Sequence, residues 1–307
     1  MTQILTGTQR PEGPVAVTVG SFDGVHTGHR FLFDLLETEA RARGLESLVF
    51  TFDPHPLQVI GPEQAPPLLT TRTEKEFLLK QTAVDYVYFQ TFDKAFAALT
   101  GKDFLQWLSK EFGMKFLLLG HDHRFGSDRM NSRDEIRALG QKLGFNLGTA
   151  GVMEIDGQAV NSTRIRRLLS EGQIRAANRL LGYNYLLSGT VVHGSRFGRR
   201  IGYPTANIRP EDAAKLIPPD GVYAVRSLIE GRWTAGVMNI GTRPTVDGRQ
   251  HQIEIHFPDY QGDLYDRFLF TQVVDFIRPE QKFDGPEALA LQIKKDITRM
   301  REILGVK

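Results

Sequence analysis

The sequence predicts an α/β fold in two parts: a parallel sheet with crossover helices over residues 1–184, then an antiparallel β-barrel or sandwich over residues 185–307, finished by one helix. Three observations predict it. Short apolar segments, "PVAVTVG", "ESLVFTF", "VDYVYF" and "KFLLLG", alternate with helical stretches of about 10 to 20 residues in the first part, a rhythm in which each strand needs a crossover before the next parallel one. From Leu186 the segments become strand-like and are punctuated by turns: "LSGTVVHG", "GVYAVRSLIEGRWTAGVMNIG", "QIEIHF" and "DRFLFTQVVDF". The third observation is the apolar periodicity from Pro286 to Leu304, which reads as an amphipathic helix.

Taken in chain order, "PVAVTVG" runs into the glycine-rich turn "VGSFDGVHTGHR" (19–30) and then into an apolar-periodic helix. "ESLVFTF" ends at "DPHP", where His55 stands between two prolines beyond the strand end. "NSTRIRRLL" (161–169) places Ser162 and Thr163 just before a short helix whose Ile165, Leu168 and Leu169 form a buried stripe, with Arg164, Arg166 and Arg167 off it. The stretch "LLGYNYLLSG" is the junction between the two textures, and Glu230-Gly231 sits where a two-residue hairpin closes. In "QIEIHF", alternation sends Ile253, Ile255 and Phe257 to one face and Gln252, Glu254 and His256 to the other.

Composition narrows the function. The 307 residues are 41% apolar, enough for a substantial core. The 38 Lys plus Arg nearly balance the 36 Asp plus Glu, so no global field pulls the chain toward nucleic acid or an anionic membrane, and a small substrate is the default. With no cysteine there is no disulfide, thiolate metal site or cysteine nucleophile. The longest apolar runs, such as Phe116 to Leu119, are far short of the roughly 20 residues a membrane-spanning helix needs, and no export signal is evident at the N-terminus. The expected location is the cytoplasm.

Two constellations carry candidate chemistry in the first part. In an open parallel sheet ligands gather beyond the carboxyl ends of strands, where a helix N-terminus offers N–H groups and partial positive charge. The 19–30 turn occupies such a place: Gly20, Gly24 and Gly28 permit close backbone approach, and His26 and His29, at i and i+3, share one side of the first helical turn. It is neither a Walker loop nor a dinucleotide fingerprint; its plain alternative is a glycine turn with a histidine cap and a second, exposed histidine. The hydroxyls and guanidinium groups of "NSTRIR" suit a phosphate chain, or merely cap and flank a helix. In the second part, "GYPTANI" puts Thr205 and Asn207 on one face of an extended strand, two hard oxygen donors of the kind Mg²⁺ takes alongside phosphates; its plain alternative is an ordinary turn. Gly194, Gly198 and Gly202 with Arg196, Arg199 and Arg200 are expected to make a mobile basic loop suited to closing over phosphates, or, flanked by Phe197 and Tyr203, to gripping RNA.

Together "FDGVHTGH" and "NSTRIR" resemble the HxGH nucleotidyltransferases, and the order "FDGVHTGH", "TFDPHP", the "RFG" of "GHDHRFGSDR", "NSTRIR" and "GYPTANI" over essentially the whole chain resembles the bacterial bifunctional riboflavin kinase/FMN adenylyltransferases, also called FAD synthetases. The resemblance implies a Rossmann-like adenylyltransferase domain (1–184) and a β-barrel riboflavin kinase domain with a terminal helix (185–307). It implies that His26 and His29 stabilise the α- and β-phosphates of ATP, that Ser162, Thr163 and Arg166 hold the departing pyrophosphate, and that Gly20, Phe22, Asp23, Gly24 and Arg164 line the nucleotide pocket. His55, Asp122 and Phe125 would contact flavin; Gly194 and Arg199 would contact the kinase nucleotide; Thr205 and Asn207 would hold Mg²⁺; Glu254 would be the general base. Implied partners are riboflavin, FMN, FAD and ATP, with no nucleic acid, no membrane and an open oligomeric state. The sequence departs from the family pattern at His123 for Phe, Asn131 for Gly, Asn161 for Ser and Asp266 for Gly. His123 puts a titratable ring where apolar surface near the flavin is expected, so an adenylyltransferase with an altered acceptor stays open, as does a non-catalytic flavin- or RNA-binding regulator.

Overall fold

The computed structural model describes residues 2–120, 125–194, 198, 201–245 and 248–306. They fall into two compact units, Met1–Pro66 with Lys75–Ser162, and Pro67–Glu74 with Thr163–Lys307.

The first unit is built on β1 (Gln3–Leu5), β2 (Val15–Val19), β3 (Glu46–Asp53), β4 (Tyr86–Thr91), β5 (Met114–Leu119) and β6 (Asn146–Thr149), in the order β1-β4-β3-β2-β5-β6. Every pairing is parallel; β7 (Glu154–Ile155) and β8 (Gln158–Ala159) form a separate antiparallel pair. β2 is buried along its whole length, which is why it reads as a continuous apolar run rather than an alternating one. α1 (Thr27–Ala42), α5 (Gly101–Phe112) and α6 (Arg133–Leu143) bury their apolar stripes, and shorter helices α2 (Pro56–Ile60) and α4 (Lys94–Ala97) lie between strands. The core gathers Phe50, Tyr88, Phe104 and Phe112, with Trp107 packed against it. From β2 the chain proceeds to β3 and β4 on one side, then returns to β5 on the other. The carboxyl ends of β2 and β5 therefore form the switch point of the sheet, where ligand crevices open. β1 and β6 escape a sequence reading because each is a short edge strand; Gly148 of β6 also lies under the Phe116 ring, which a Cβ would approach to 2.5 Å.

The second unit holds α7 (Ser162–Ser170) from Thr163 on, α8 (Ile174–Leu181), and an antiparallel sheet. Its strands are β9 (Tyr185–Leu186), β10 (Gly189–Val192), β11 (Ala206–Pro210), β12 (Gly221–Ile229), β13 (Arg232–Thr245), β14 (Gly248–His256), β15 (Phe268–Leu269) and β16 (Thr271–Arg278), in the order β15-β10-β11-β14-β13-β12-β16-β9. Only Phe270 separates β15 from β16, yet β15 pairs with β10 at one margin while β16 pairs with β12 and β9 at the other. One continuous segment thus joins both margins, and the sheet curls into a barrel. The β12–β13 turn at Glu230-Gly231 has φ of 51° and 78°, the left-handed pair a two-residue hairpin needs. The terminal helix α9 (Pro286–Leu304) packs Met300 and Leu304 on Val222, Ala224 and Val237. Arg278 clamps it through Asp296, with Nε–Oδ1 at 2.9 Å and a second guanidinium nitrogen on Oδ2 at 2.8 Å.

Compactness groups residues 67–74 and 163–184 with the second sheet, whereas the texture of the sequence changes at 184/185. Segment 67–74 is bound there by backbone and side chain: Leu68 N–H donates to Ala214 O at 2.7 Å, and Leu216 N–H donates to Leu68 O at 2.8 Å. Glu74, in the first turn of α3 (Arg72–Leu79), is fully buried against Lys215. Local periodicity marks an element but not the core it joins. No described helix is long and apolar enough to cross a membrane.

Candidate active sites

The first candidate site lies at the head of α1, in the turn that leaves β2 at the switch point. His26 is the N-cap: its Nδ1 accepts the His29 backbone N–H at 3.3 Å, and the residue is 4% exposed. Because Nδ1 is the acceptor, the neutral ring carries its proton on Nε2, the nitrogen able to donate to an anion. The His29 ring stacks on His26 at 3.6 Å between centroids and 18° between planes, the one-sided i, i+3 arrangement expected from spacing. His29 is half-buried rather than exposed, its ring meeting the edge of Phe22 at 5.2 Å. His26 is thus the cap of α1, and the second histidine is stacked on it rather than exposed.

The glycines of this turn do more than admit a ligand. A Cβ on Gly28 would lie 3.2 Å from two atoms of the His26 ring, and one on Gly20 would lie 2.8 Å from the Phe22 ring. Between them the backbone takes the left-handed region at Phe22 (φ 45°), Gly24 (φ 87°) and Val25 (φ 39°). Two of these carry side chains and one is β-branched, so the conformation is strained and must be held by its surroundings. Gly20 N–H donates to Phe50 O at 3.0 Å and Ser162 Oγ to the Asp23 carbonyl at 2.9 Å. Asp23 itself is buried.

Other expected residues of the first part have definite places. Ser162 has its hydroxyl hydrogen on Asp23 O, so it joins the second motif to the first through the turn. Ser162 and Thr163 form the first turn of α7 rather than preceding it; Thr163 is exposed and Arg164 half-buried, while Ile165, Leu168 and Leu169 form the predicted buried stripe. Arg166 donates from Nε to Pro67 O at 2.7 Å, both within the second unit. His55 caps α2, accepting the Leu57 N–H at 3.2 Å while its own N–H donates to Gln58 Oε1 at 3.1 Å. Phe125, expected to contact flavin, is 3% exposed, its ring packed 5.9 Å from Phe104 in the core and its N–H donating to Met130 O at 2.9 Å. Asp122 and His123 lie outside the described residues, as do Arg196, Phe197, Arg199 and Arg200.

The second candidate site is a row across three strands of the barrel. Asn207 on β11 stands opposite Glu254 on β14, which stands opposite Asn239 on β13. Ile253, Ile255 and Phe257 of β14 are buried as alternation predicts, and Glu254 and His256 are half-buried on the other face. Gln252 donates one amide to both functional candidates, to Asn207 Oδ1 at 2.9 Å and to Glu254 Oε1 at 2.6 Å. Sequence reasoning put Gln252 on the right face but missed this bridge, which depends on cross-strand register. Gly194 abuts Asn207: a Cβ there would come within 2.3 Å of Nδ2. Thr205 is half-buried just before β11, and Pro204 O accepts from His256 Nδ1 at 2.8 Å. Burial lowers the His256 pKa, against weaker opposing effects of the Pro204 carbonyl and Asp259.

Comparison with known proteins bears on both sites. Residues 8–164 match the family model for FAD synthetase, and residues 181–304 that for riboflavin kinase. The bifunctional riboflavin kinase/FMN adenylyltransferase of Escherichia coli (strain K12) is 39% identical over 301 residues, covering 97% of this chain and 96% of its own. The protein of the same description from Pseudomonas fluorescens is 37% identical, covering 96% and 94%. A crystal structure from Streptococcus pneumoniae, described as a macrolide-efflux protein, overlays with a TM-score of 0.86 at 30% identity and covers 98% of each chain. One model falls on the stacked imidazoles and the other on the Asn207–Glu254 row, in one polypeptide matched end to end: the chain belongs to the bifunctional riboflavin kinase/FMN adenylyltransferase family.

Proposed function

We propose that the chain makes FAD from riboflavin in two ATP-dependent steps, with residues 185–307 phosphorylating riboflavin to FMN and residues 1–184 adenylylating FMN with release of pyrophosphate. The observation that carries the first-domain assignment is the stacked His26–His29 pair at the head of α1. In adenylyl transfer a phosphate oxygen of FMN attacks the α-phosphorus of ATP, and the bond to the bridging oxygen of pyrophosphate breaks. Such a step needs positioning and neutralisation of developing oxygen charge more than a protein nucleophile. His26 Nε2–H, His29 and the positive end of α1 supply donors for the α- and β-phosphates. Thr163, Arg164 and Arg166 hold the leaving pyrophosphate; Gly20, Phe22, Asp23 and Gly24 shape the nucleotide pocket; Ser162 supports it through Asp23 O. His55, Asp122 and Phe125 are assigned to the flavin side.

In the kinase step the ribityl 5′-hydroxyl gives its proton to Glu254 as its oxygen attacks the γ-phosphorus, and ADP leaves. Gln252 holds Oε1 of that carboxylate and Oδ1 of Asn207 in one orientation. Thr205 and Asn207 are neutral oxygen donors of the kind Mg²⁺ accepts alongside phosphates, and Asn207 Oδ1 is oriented by a bonded neighbour, so the residues present fit that ion. When bound, it neutralises phosphate charge. Gly194 and Arg199 are assigned to contact with the kinase nucleotide. Riboflavin, FMN, FAD and ATP are the partners, and the cytoplasm, with its ATP and reducing conditions, suits a chain without cysteine.

The test separates the two sites. Purified protein with riboflavin, ATP and Mg²⁺ is expected to yield FMN and FAD. Glu254→Gln should abolish FMN formation and spare FMN-to-FAD conversion, and His29→Ala should do the reverse. Loss of both steps in either folded variant would overturn the two-site assignment.

A further inference from the structure

We infer that Lys75 is a positioning residue for adenylyl transfer: from the first turn of α3 it holds the Ser21 carbonyl and thereby sets the strained turn that aims His26 and His29. The inference rests on the reading of that turn as the adenylyltransferase site. Lys75 is 6% exposed, and its Nζ donates to Ser21 O at 2.8 Å. Thr51 of β3, fully buried, donates to the same oxygen from Oγ1 at 3.2 Å. Two more carbonyls of the turn are held by side chains: Asp23 O by Ser162 Oγ, and Val25 O by Arg30 Nε at 3.4 Å. Side chains from β3, α3, α7 and α1 therefore converge on the three carbonyls at Ser21, Asp23 and Val25.

The strain gives this convergence its meaning. Phe22 and Val25 occupy a backbone region that L side chains avoid, and an isolated loop would relax out of it. Ser21 is the residue before Phe22, so fixing its carbonyl plane fixes the entry into the left-handed segment. The Phe22 ring, placed by that conformation, packs on Phe33 at 4.9 Å and on His29 at 5.2 Å. A released Ser21 carbonyl would let Phe22 rotate and His29 lose its neighbour. Lys75 reaches the turn from behind, through a buried side chain; its role is to keep the imidazoles where the transition-state charge develops, not to touch substrate.

The experiment compares wild type, Lys75→Met, Thr51→Val and the double variant in FMN-to-FAD conversion, with riboflavin-to-FMN conversion by the same chain as control. Met keeps the buried stem and removes the donor. Lys75→Met is expected to lower kcat for FAD formation about 10- to 100-fold, the scale of a misplaced catalytic group, with KM for ATP within about threefold and the kinase rate unchanged. Thr51→Val should show the same pattern more weakly. The double variant should lose more than the product of the two single effects, because both donors hold one carbonyl. An unchanged kcat, a change confined to KM, or losses that simply multiply would each overturn the inference. Should Lys75→Met not fold, shown by loss of the first unit's urea unfolding transition whatever the kinase rate, Thr51→Val carries the test alone, and a wild-type kcat there overturns it. His29→Ala is run in parallel: if it retains FAD formation the site reading itself fails, whereas an inactive His29→Ala beside wild-type Lys75 and Thr51 variants defeats only the role of Lys75.

Discussion

Gly194 shows how far a single residue can be read. The sequence marks it as one glycine of a basic, glycine-rich stretch, but a Cβ there would lie 2.3 Å from Asn207 Nδ2, which makes the absence of a side chain obligatory. Gly194→Ala is expected to displace the Asn207 amide, cut FMN formation at least tenfold, equivalent to about 1.4 kcal/mol of transition-state stabilisation, and leave FMN-to-FAD conversion intact. Separate assays of the two steps check this. His256 makes a second residue-level prediction. Its pKa lies below the ordinary 6.5 because burial disfavours the charged ring, so the folded state holds it neutral. As pH falls through 6.5 the unfolded chain takes up a proton that the folded chain resists, and stability present above that value is lost. Denaturation midpoints measured from pH 8 to pH 5 should fall more steeply for wild type than for His256→Gln; parallel curves would refute the assignment.

At the level of elements, β14 was legible and α3 was not. Strict alternation in "QIEIHF" revealed which side of β14 is buried, because a pleated strand has a period of two whatever its neighbours are. The bridge from Gln252 to Asn207 required knowing that β11 lies beside β14, a pairing between residues 45 apart. In α3 the first turn looks like an ordinary charged surface stretch, "RTEK". Instead Glu74 Oε2 accepts from Lys215 Nζ at 2.6 Å and from Thr71 N–H at 3.0 Å, and Oε1 accepts from Ser188 N–H at 2.8 Å. Lys215 also donates to Leu69 O at 2.6 Å and lies 4.3 Å over the Tyr185 ring. Removing one partner of such a buried pair strands the other charge, so Lys215→Met should destabilise the second unit by about 3–5 kcal/mol. Adding Glu74→Gln should restore part of that loss. Urea unfolding of the single and double variants decides it; a single variant within 1 kcal/mol of wild type, by the roughly ±0.5 kcal/mol span of neutral surface changes, would refute it.

On the scale of the whole molecule, two compact units with separate candidate sites make the activities divisible. A mixture of His29→Ala and Glu254→Gln proteins is expected to convert riboflavin to FAD, with FMN accumulating first, because each variant retains the step the other lacks. Failure of the mixture, while each variant performs its remaining step, would show that FMN must stay with one chain. The sequence by itself determined the two textures, the order of the motifs, the face of each amphipathic element and the types of residue at both sites, since these depend on local spacing and side-chain chemistry. Tertiary structure alone decided that segment 67–74 joins the second unit, that Ser162 reaches Asp23 O, that Lys75 and Thr51 meet on one carbonyl, and that Gln252 spans two strands. Each of these joins residues far apart along the chain, and such contacts are selected by which cores can close around buried polar groups, a condition that no local period encodes.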